Sequence, residues 1–260
     1  MFGKFLNACA ELIRYRHDRD YLEWRLKYSK VLKKYKNIHS GADCFIVGNG
    51  PSLNKIDLGL LNRYYTFGLN KIYLMFDKTE FRPSYHVAVN PLVIEQSVKE
   101  FEGLSCDTFL SYRPSRHIIK KHEHINFIMT GGPVAFSQDL VGEINEGWTV
   151  TYVAMQIAFY MGFKNIFLIG VDHNFVVNGE PNEKQLLTDS DVNHFDPNYF
   201  GGKLWHLPDL EGSELSYRLA KFFFERDGRC ISDATIGGKL QIFPKISFED
   251  ALRVCKKKDK

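Results

Sequence analysis

Cysteine is sparse in this 260-residue chain: five residues at positions 9, 44, 106, 230 and 255, with no Cys-x-x-Cys pair. That pattern excludes a disulfide scaffold and predicts reduced thiols in a cytoplasmic protein. No run of 18 or more apolar residues occurs, so no transmembrane helix is expected. The opening stretch from Met1 to Asp20 is too interrupted by charge to act as a signal peptide. Net charge is also low, at +3, which gives no case for general nucleic-acid binding. Neither an internal repeat nor a low-complexity tract is present. What remains is ordinary globular composition: 44% hydrophobic, 25% charged and 14% aromatic residues, enough for a large core. The length suits one large α/β domain, or one domain with a small appendage.

Charge is unevenly placed. Residues 1–37 hold ten Lys/Arg against four Asp/Glu, and the last eight residues hold five against one. The body between them is therefore net negative. A solvated helix face and a frayed tail explain the basic ends most simply. The sharper reading is peripheral contact with an anionic surface on the inner membrane face.

Residues 4–36 lack proline and read as helical. Tyr21, Trp24, Tyr28, Val31, Leu32 and Tyr35 form one apolar stripe, for which packing on the main domain is the default and pairing with another chain or lying on a membrane are the alternatives. Residues 39–43 break that pattern, so the expected division is a basic amphipathic segment, 1–38, and a main domain, 39–260. Apolar runs at 44–48, 65–69, 85–89, 108–112, 125–129 and 165–172 read as strands, with a short late one at 230–232. Helices are expected over 149–161, 211–226 and 248–256, the second with Leu215, Leu219, Phe222 and Phe223 on one face, the natural candidate for the buried side. Strands alternating with helices imply a mostly parallel sheet covered on both faces. Residues 173–210 show no periodicity, and so long an irregular segment is usually functional or mobile.

Ligands of a doubly wound sheet bind beyond the C-terminal strand ends. Gly48-Asn-Gly-Pro-Ser52 follows the first strand and opens a helix, where backbone N–H groups suit an anion. It is neither a dinucleotide fingerprint, because Leu53 occupies the third glycine position, nor a Walker loop. Asn49, Asn70 and Asn90 end three successive strands, and their amides suit a base, ribose or sugar hydroxyl. A turn or helix cap explains any one of them alone. Asp172 ends the strongest strand, beside His173. His194 lies in an acid-rich loop, as a general base would, although a loop hydrogen bond is the plainer reading of a lone histidine. Asp189, Asp191 and Asp196 offer an alternative Mg²⁺ site. The basic stretch from Arg113 to Lys121 suits the mouth of an anionic site or plain solvation.

The ordered motifs Ile46–Leu53, Gly68-Leu-Asn-Lys71, Val89-Asn-Pro91, Met161–Asp172 and Asn193-His-Phe195 resemble the bacterial sialyltransferases of glycosyltransferase family 42. They are also similar to the 6-hydroxymethylpterin diphosphokinase MptE-like family, and residues 193–201, Trp205-His206 and Asp233-Ala-Thr235 stand nearer the second. The resemblance covers residues 43–250. It implies a Rossmann-like fold of the GT-A-variant type, with no cofactor and no DxD metal motif. It also implies an inverting transfer from a CMP-activated acidic sugar to a surface-glycan acceptor. Carried over by position, His194 is the base. Asn49, Gly50, Pro51, Ser52, Asn70, Asn90, Thr149, Thr151 and Asp172 contact the donor. Two family tyrosines after Asp172 are unmatched, with Asn174 and Phe175 near the first, and Gly147 replaces an arginine. Tyr199, Lys203 and Arg113 are the substitutes available to stabilise the departing phosphate. Two other readings compete: an ATP- and Mg²⁺-dependent pterin diphosphokinase, and a non-catalytic nucleotide-binding scaffold. A homo-oligomer is compatible with each.

Overall fold

The computed structural model describes residues 13–132 and 134–258. In chain order its helices are α1 (Arg19–Lys27), α2 (Pro91–Gln96), α3 (Val98–Glu102), α4 (Tyr112–Ser115), α5 (Val150–Met161), α6 (Leu210–Arg226) and α7 (Phe248–Val254). Its strands are β1 (Asp43–Val47), β2 (Tyr65–Leu69), β3 (Tyr85–Ala88), β4 (Asp107–Ser111), β5 (Ile125–Ile128), β6 (Asn165–Ile169), β7 (Lys184–Leu187), β8 (Lys203–His206) and β9 (Cys230–Asp233).

Seven strands form one sheet in the order β5-β4-β3-β2-β1-β6-β9, every pair parallel. A parallel sheet is covered on both faces, so its strands carry continuous apolar runs rather than alternation. All five residues of β1 are buried accordingly. The chain builds outward from β1 through β5, then returns to place β6 on β1's other side. The order reverses there, and a crevice opens beyond the strand ends.

Helix α5 is apolar all round, and eleven of its twelve residues are buried. Such a helix belongs in an interior; this one lies across β1, β2 and β3. Thr149 caps its start and left-handed Gly162 (φ 91°) ends it. Because the helix runs antiparallel to the strands it connects, its N-terminus opens at the crevice. Helix α6 packs on α5 and β9 through Ser213, Ser216, Tyr217, Ala220 and Phe224. The expected inward pair Leu215 and Phe222 is instead about half exposed, because close approach to α5 favours the small-residue face.

The N-terminal stripe also changes pitch. Helix α1 ends at Lys27, and residues 29–35 continue as a 3₁₀ helix. Three residues per turn put Ser29, Leu32 and Tyr35 inward and leave Val31 outward. Tyr21 and Trp24 join the main core, and the Trp24 indole N–H donates to the Phe127 carbonyl at 2.8 Å. Burying each of these rings contributes roughly 1.5–3 kcal/mol. Expectations on residues 1–12 lie outside the described residues. Among those described, no helix is long and apolar enough to cross a membrane, and Cys44, Cys106, Cys230 and Cys255 are free thiols.

The segment 173–210 is not wholly irregular. β7 and β8 form an antiparallel hairpin within it, and the loop joining them carries residues 188–202.

Candidate functional site

A cleft of about 640 Å³ opens where β1 and β6 diverge. That volume suits a nucleotide-sized ligand. The two crossing loops that found it are packed against each other through glycine. A Cβ on Gly48 would overlap the Gly170 backbone, and one on Gly50 would overlap the Asp172 carboxylate. These glycines therefore serve loop-on-loop contact, not only ligand approach. The helix expected after the Gly-Asn-Gly-Pro-Ser turn is instead two short 3₁₀ segments, Pro51–Lys55 and Leu58–Arg63. Asp172 ties the loops together, accepting from the Ser52 backbone N–H at 3.0 Å and the Ser52 hydroxyl at 2.6 Å. Burial raises the Asp172 pKa against those two hydrogen bonds.

All three asparagines line the cleft, each in a different way. Asn90 caps α2, its Oδ1 accepting from the N–H groups of Leu92 and Val93, while its Nδ2 faces the His206 Nδ1 at 3.3 Å. Asn70 adopts the left-handed conformation (φ 46°) that asparagine tolerates better than most residues. Its N–H donates to Val87, and its carbonyl is held 2.7 Å from the Nε2 of buried His86. Burial lowers the His86 pKa to about 4, so the ring is neutral and donates from Nε2. Asn49 carries neither a cap nor a positive φ; its carbonyl accepts from the Phe195 N–H. The side-chain oxygens of Asn49 and Asn70 are buried with no partner. The Asn70 amide also meets the Tyr199 hydroxyl. A buried acceptor without a partner, on a residue that lines a cleft, is an anomaly that a ligand donor can resolve once the side chain turns toward it.

His194 reaches the same cleft from the loop between β7 and β8. Its Nδ1 lies 2.8 Å from the carboxylate of Asp191, whose side chain is 1% exposed. Asp191 also accepts from the backbone N–H groups of Asn193 (2.9 Å) and Phe200 (3.2 Å). The ring lies flat on Tyr199, centroids 4.0 Å apart and planes 3° from parallel. An acceptor at Nδ1 puts the neutral ring's proton there and leaves the Nε2 lone pair free, the tautomer a general base requires.

Lys71 lies behind this pair. Its ammonium donates to the Tyr199 carbonyl and to Gln96 Oε1, each at 2.7 Å, with the Phe200 ring 4.4 Å away. Burial, helped by the charge on Lys203, pulls its pKa down to about 7.

The cleft is also lined by Thr149 and Thr151 at the start of α5, with Glu146 and Trp148 just before them. Glu146 accepts from the Thr130 hydroxyl at 2.5 Å, and burial raises its pKa. His206 lines the cleft from β8 with its pKa lowered by burial and by Lys184. His173 pairs with Glu214 at 3.2 Å.

Other expected site residues lie elsewhere. Pro51 and Ser52 sit behind the cleft wall, and Tyr199 is buried beneath His194 rather than lining the opening. The Lys203 ammonium meets the Asn198 carbonyl on the exposed side of the loop. Arg113 forms ion pairs with Asp18 (2.6 Å) and Asp20 (3.5 Å), and Arg116 meets Asp20, so the basic stretch secures α1 instead of an anion. The carboxylates expected for Mg²⁺ are dispersed: Asp189 is exposed, Asp191 serves His194, and Asp196 pairs with Lys78 at 2.7 Å, while Asp172 serves Ser52. Among the described residues no three His, Cys, Asp or Glu side chains gather as a metal set.

Sequence reasoning missed Asp191 as the imidazole's partner, held Lys71 and His206 only as motif residues without a role, and did not name Glu146 or Trp148. The signals available were the position of Asp191 three residues before His194 and the places of Lys71 and His206 in the quoted motifs.

The family model described as "6-hydroxymethylpterin diphosphokinase MptE-like" matches residues 19–178. The match starts inside α1, earlier than the residue 43 expected from the motifs. It stops ahead of His194. No curated protein matches the chain. Among solved structures, the sialyltransferase CstII from Campylobacter jejuni, in complex with the substrate analogue CMP-3FNeuAc, is similar over 79% of this chain and 86% of its own. The identity is 14% and the TM-score 0.44.

Proposed function

This chain belongs to the 6-hydroxymethylpterin diphosphokinase MptE-like family, and from that premise we propose that its cleft transfers a group from a nucleotide donor to an acceptor hydroxyl. The donor we favour is a CMP-linked acidic sugar, and the acceptor a surface glycan. The observation that carries this reading is one cleft lined by both an oriented imidazole and two asparagines whose buried amide oxygens have no partner. Asn49 and Asn70 accept hydrogen bonds from the ribose or base of the donor. His194 takes the acceptor's proton on Nε2 as the acceptor oxygen attacks the anomeric carbon. The bond from that carbon to the phosphate oxygen breaks, and its electron pair leaves with the nucleotide. Asp191 balances the imidazolium that forms. The positive end of the α5 dipole, at Thr149 to Thr151 on the cleft lining, supports this reading because it suits the negative charge that grows on a departing phosphate.

A pyrophosphoryl transfer from ATP to a hydroxymethyl group is the second reading, favoured by the family description. It uses the same base but needs ligands for Mg²⁺; of the candidate carboxylates, Asp172, Asp191 and Asp196 are each engaged by a protein partner, which leaves exposed Asp189 alone. Calorimetry with CMP, CDP, UDP, GDP and ATP, with and without Mg²⁺, separates the two. The transferase reading expects CMP to bind best and without metal. A preference for ATP with Mg²⁺ overturns it. Loss of turnover in His194→Gln with donor affinity kept is the companion result. No turnover in the wild type with any donor leaves a nucleotide-binding scaffold.

A further inference from the structure

Trp148 is an anomaly in both conformation and exposure. It follows Gly147, and both residues are left-handed, with φ values of 58° and 55°. Glycine adopts this conformation freely, but a bulky side chain pays roughly 1–2 kcal/mol. The other two tryptophans are 0% and 5% exposed; Trp148 is 41% exposed and lines the cleft. Its indole is seated on Gly212, where an added Cβ would stand 2.6 Å from the ring. Gly212 lies in the first turn of α6, an element in which glycine is otherwise unfavourable. One side of the ring is thus supported, and the rest is left open beside the N-terminus of α5.

Two features therefore disfavoured for stability, a strained backbone and a helical glycine, combine to present one flat aromatic surface into the cleft. We propose that Trp148 is the platform on which the planar heteroaromatic ring of the cleft's ligand stacks. This inference rests on the reading of the cleft as a nucleotide site. The α5 N-terminus beside the indole takes the phosphate of the same ligand, which favours a nucleobase over a bare sugar ring. Stacking selects for a planar ring and tolerates several bases, so discrimination among them falls to polar groups such as Asn49 and Asn70.

Calorimetric titration of the full-length protein tests this. The ligands are CMP, ATP and 6-hydroxymethylpterin, with pyrophosphate as the control lacking a ring. The variants are Trp148→Gly, Trp148→Phe and Gly212→Ala. Trp148→Gly relieves the backbone, so its thermal midpoint stays at or above that of the wild type. Its affinity for the best ring-bearing ligand falls by about tenfold or more, while Trp148→Phe stays within about threefold. Gly212→Ala keeps the indole but displaces it, and weakens the same ligand. Pyrophosphate is unaffected throughout. Wild-type-like affinity in Trp148→Gly overturns the proposal, as does an equal loss for pyrophosphate or failure of every ring-bearing ligand to bind the wild type. Ring binding that depends on Trp148 without any sugar transfer upholds the platform and removes the transferase reading alone.

Discussion

Replacing Asp191 with asparagine keeps the size of the side chain and reverses one edge of its hydrogen bonding. The carboxylate receives three bonds, from His194 Nδ1 at 2.8 Å, Asn193 N–H at 2.9 Å and Phe200 N–H at 3.2 Å. An asparagine oxygen can keep the bond from Asn193. Its NH₂ then faces two donors, the Phe200 N–H and the Nδ1 proton of His194. The imidazole relieves this by moving its proton to Nε2, so the nitrogen facing the cleft becomes a donor and loses its function as a base. The Phe200 N–H stays unpaired in a site only 1% exposed at the aspartate. Losing the charge-assisted bond and stranding that donor costs about 1.5–3 kcal/mol of folding stability. General-base catalysis contributes about 10²–10⁴-fold, and Asp191→Asn is expected to lose a similar factor in kcat. Urea unfolding measures the first quantity. Turnover of a nucleotide donor measures the second, with donor affinity as the internal control. A variant that is destabilised but turns over within about threefold of wild type, far less than the loss expected of a displaced base, shows that Asp191 only holds the loop together.

Other expected outcomes are equally specific. Gly48→Ala drives a methyl into the Gly170 carbonyl, a backbone atom with little room to retreat, and should cost about 3 kcal/mol in denaturant unfolding. A wild-type midpoint would show that the two loops do not depend on their close contact at Gly48. Arg113→Ala removes the pairs to Asp18 and Asp20, partly exposed contacts worth about 1 kcal/mol at most, and leaves donor affinity untouched. A weakened donor would restore Arg113 to the site. His86, buried with a pKa near 4 against 6.5 when free, stays neutral in the folded chain while the unfolded chain takes up a proton. Stability from this residue is therefore complete above pH 6.5 and falls by about 1.4 kcal/mol per unit toward pH 4. Half-buried His39, also lowered to about 4, acts in the same direction, whereas Asp172 and Glu146, raised by burial, oppose it. The measurement is thus the difference between wild type and His86→Gln across that range, and equal slopes in the two proteins would remove the assignment.

The strands were readable because a parallel sheet leaves uninterrupted apolar runs, as in Cys44–Val47 and Ile166–Ile169. The start and stop of α5 were readable because Thr149 and Gly162 are chemically suited to those positions. The inward face of α6 was not. Hydrophobicity favours Leu215 and Phe222, whereas the close approach of α5 selects Ser213, Ser216 and Ala220. The hairpin β7–β8 was hidden because its strands are four residues long and half exposed. Candidate site residues followed the same division. Positions just past strand ends were predictable from topology, which is why Asn49, Asn70, Asn90 and Asp172 share one cleft. Long-range partners were not, since nothing in the basic stretch reveals that Arg113 meets an aspartate 95 residues earlier. The Asp191–His194 spacing was visible, but spacing alone does not distinguish a metal ligand from a partner that sets an imidazole's tautomer.

The central strand has a consequence for how the protein comes into being. β1 gains β2 as a neighbour almost at once, whereas its other edge waits for β6; Asp43 and Asn165, bonded across that seam, are 122 positions apart. During synthesis, one bank of the binding crevice stands complete while the other has yet to leave the ribosome. Until then the middle of the future sheet is a bare margin with unpaired amides, open to the wrong partner. Any small molecule that bridges both banks can engage only after that last join, and it therefore favours the finished chain over every shorter form of it.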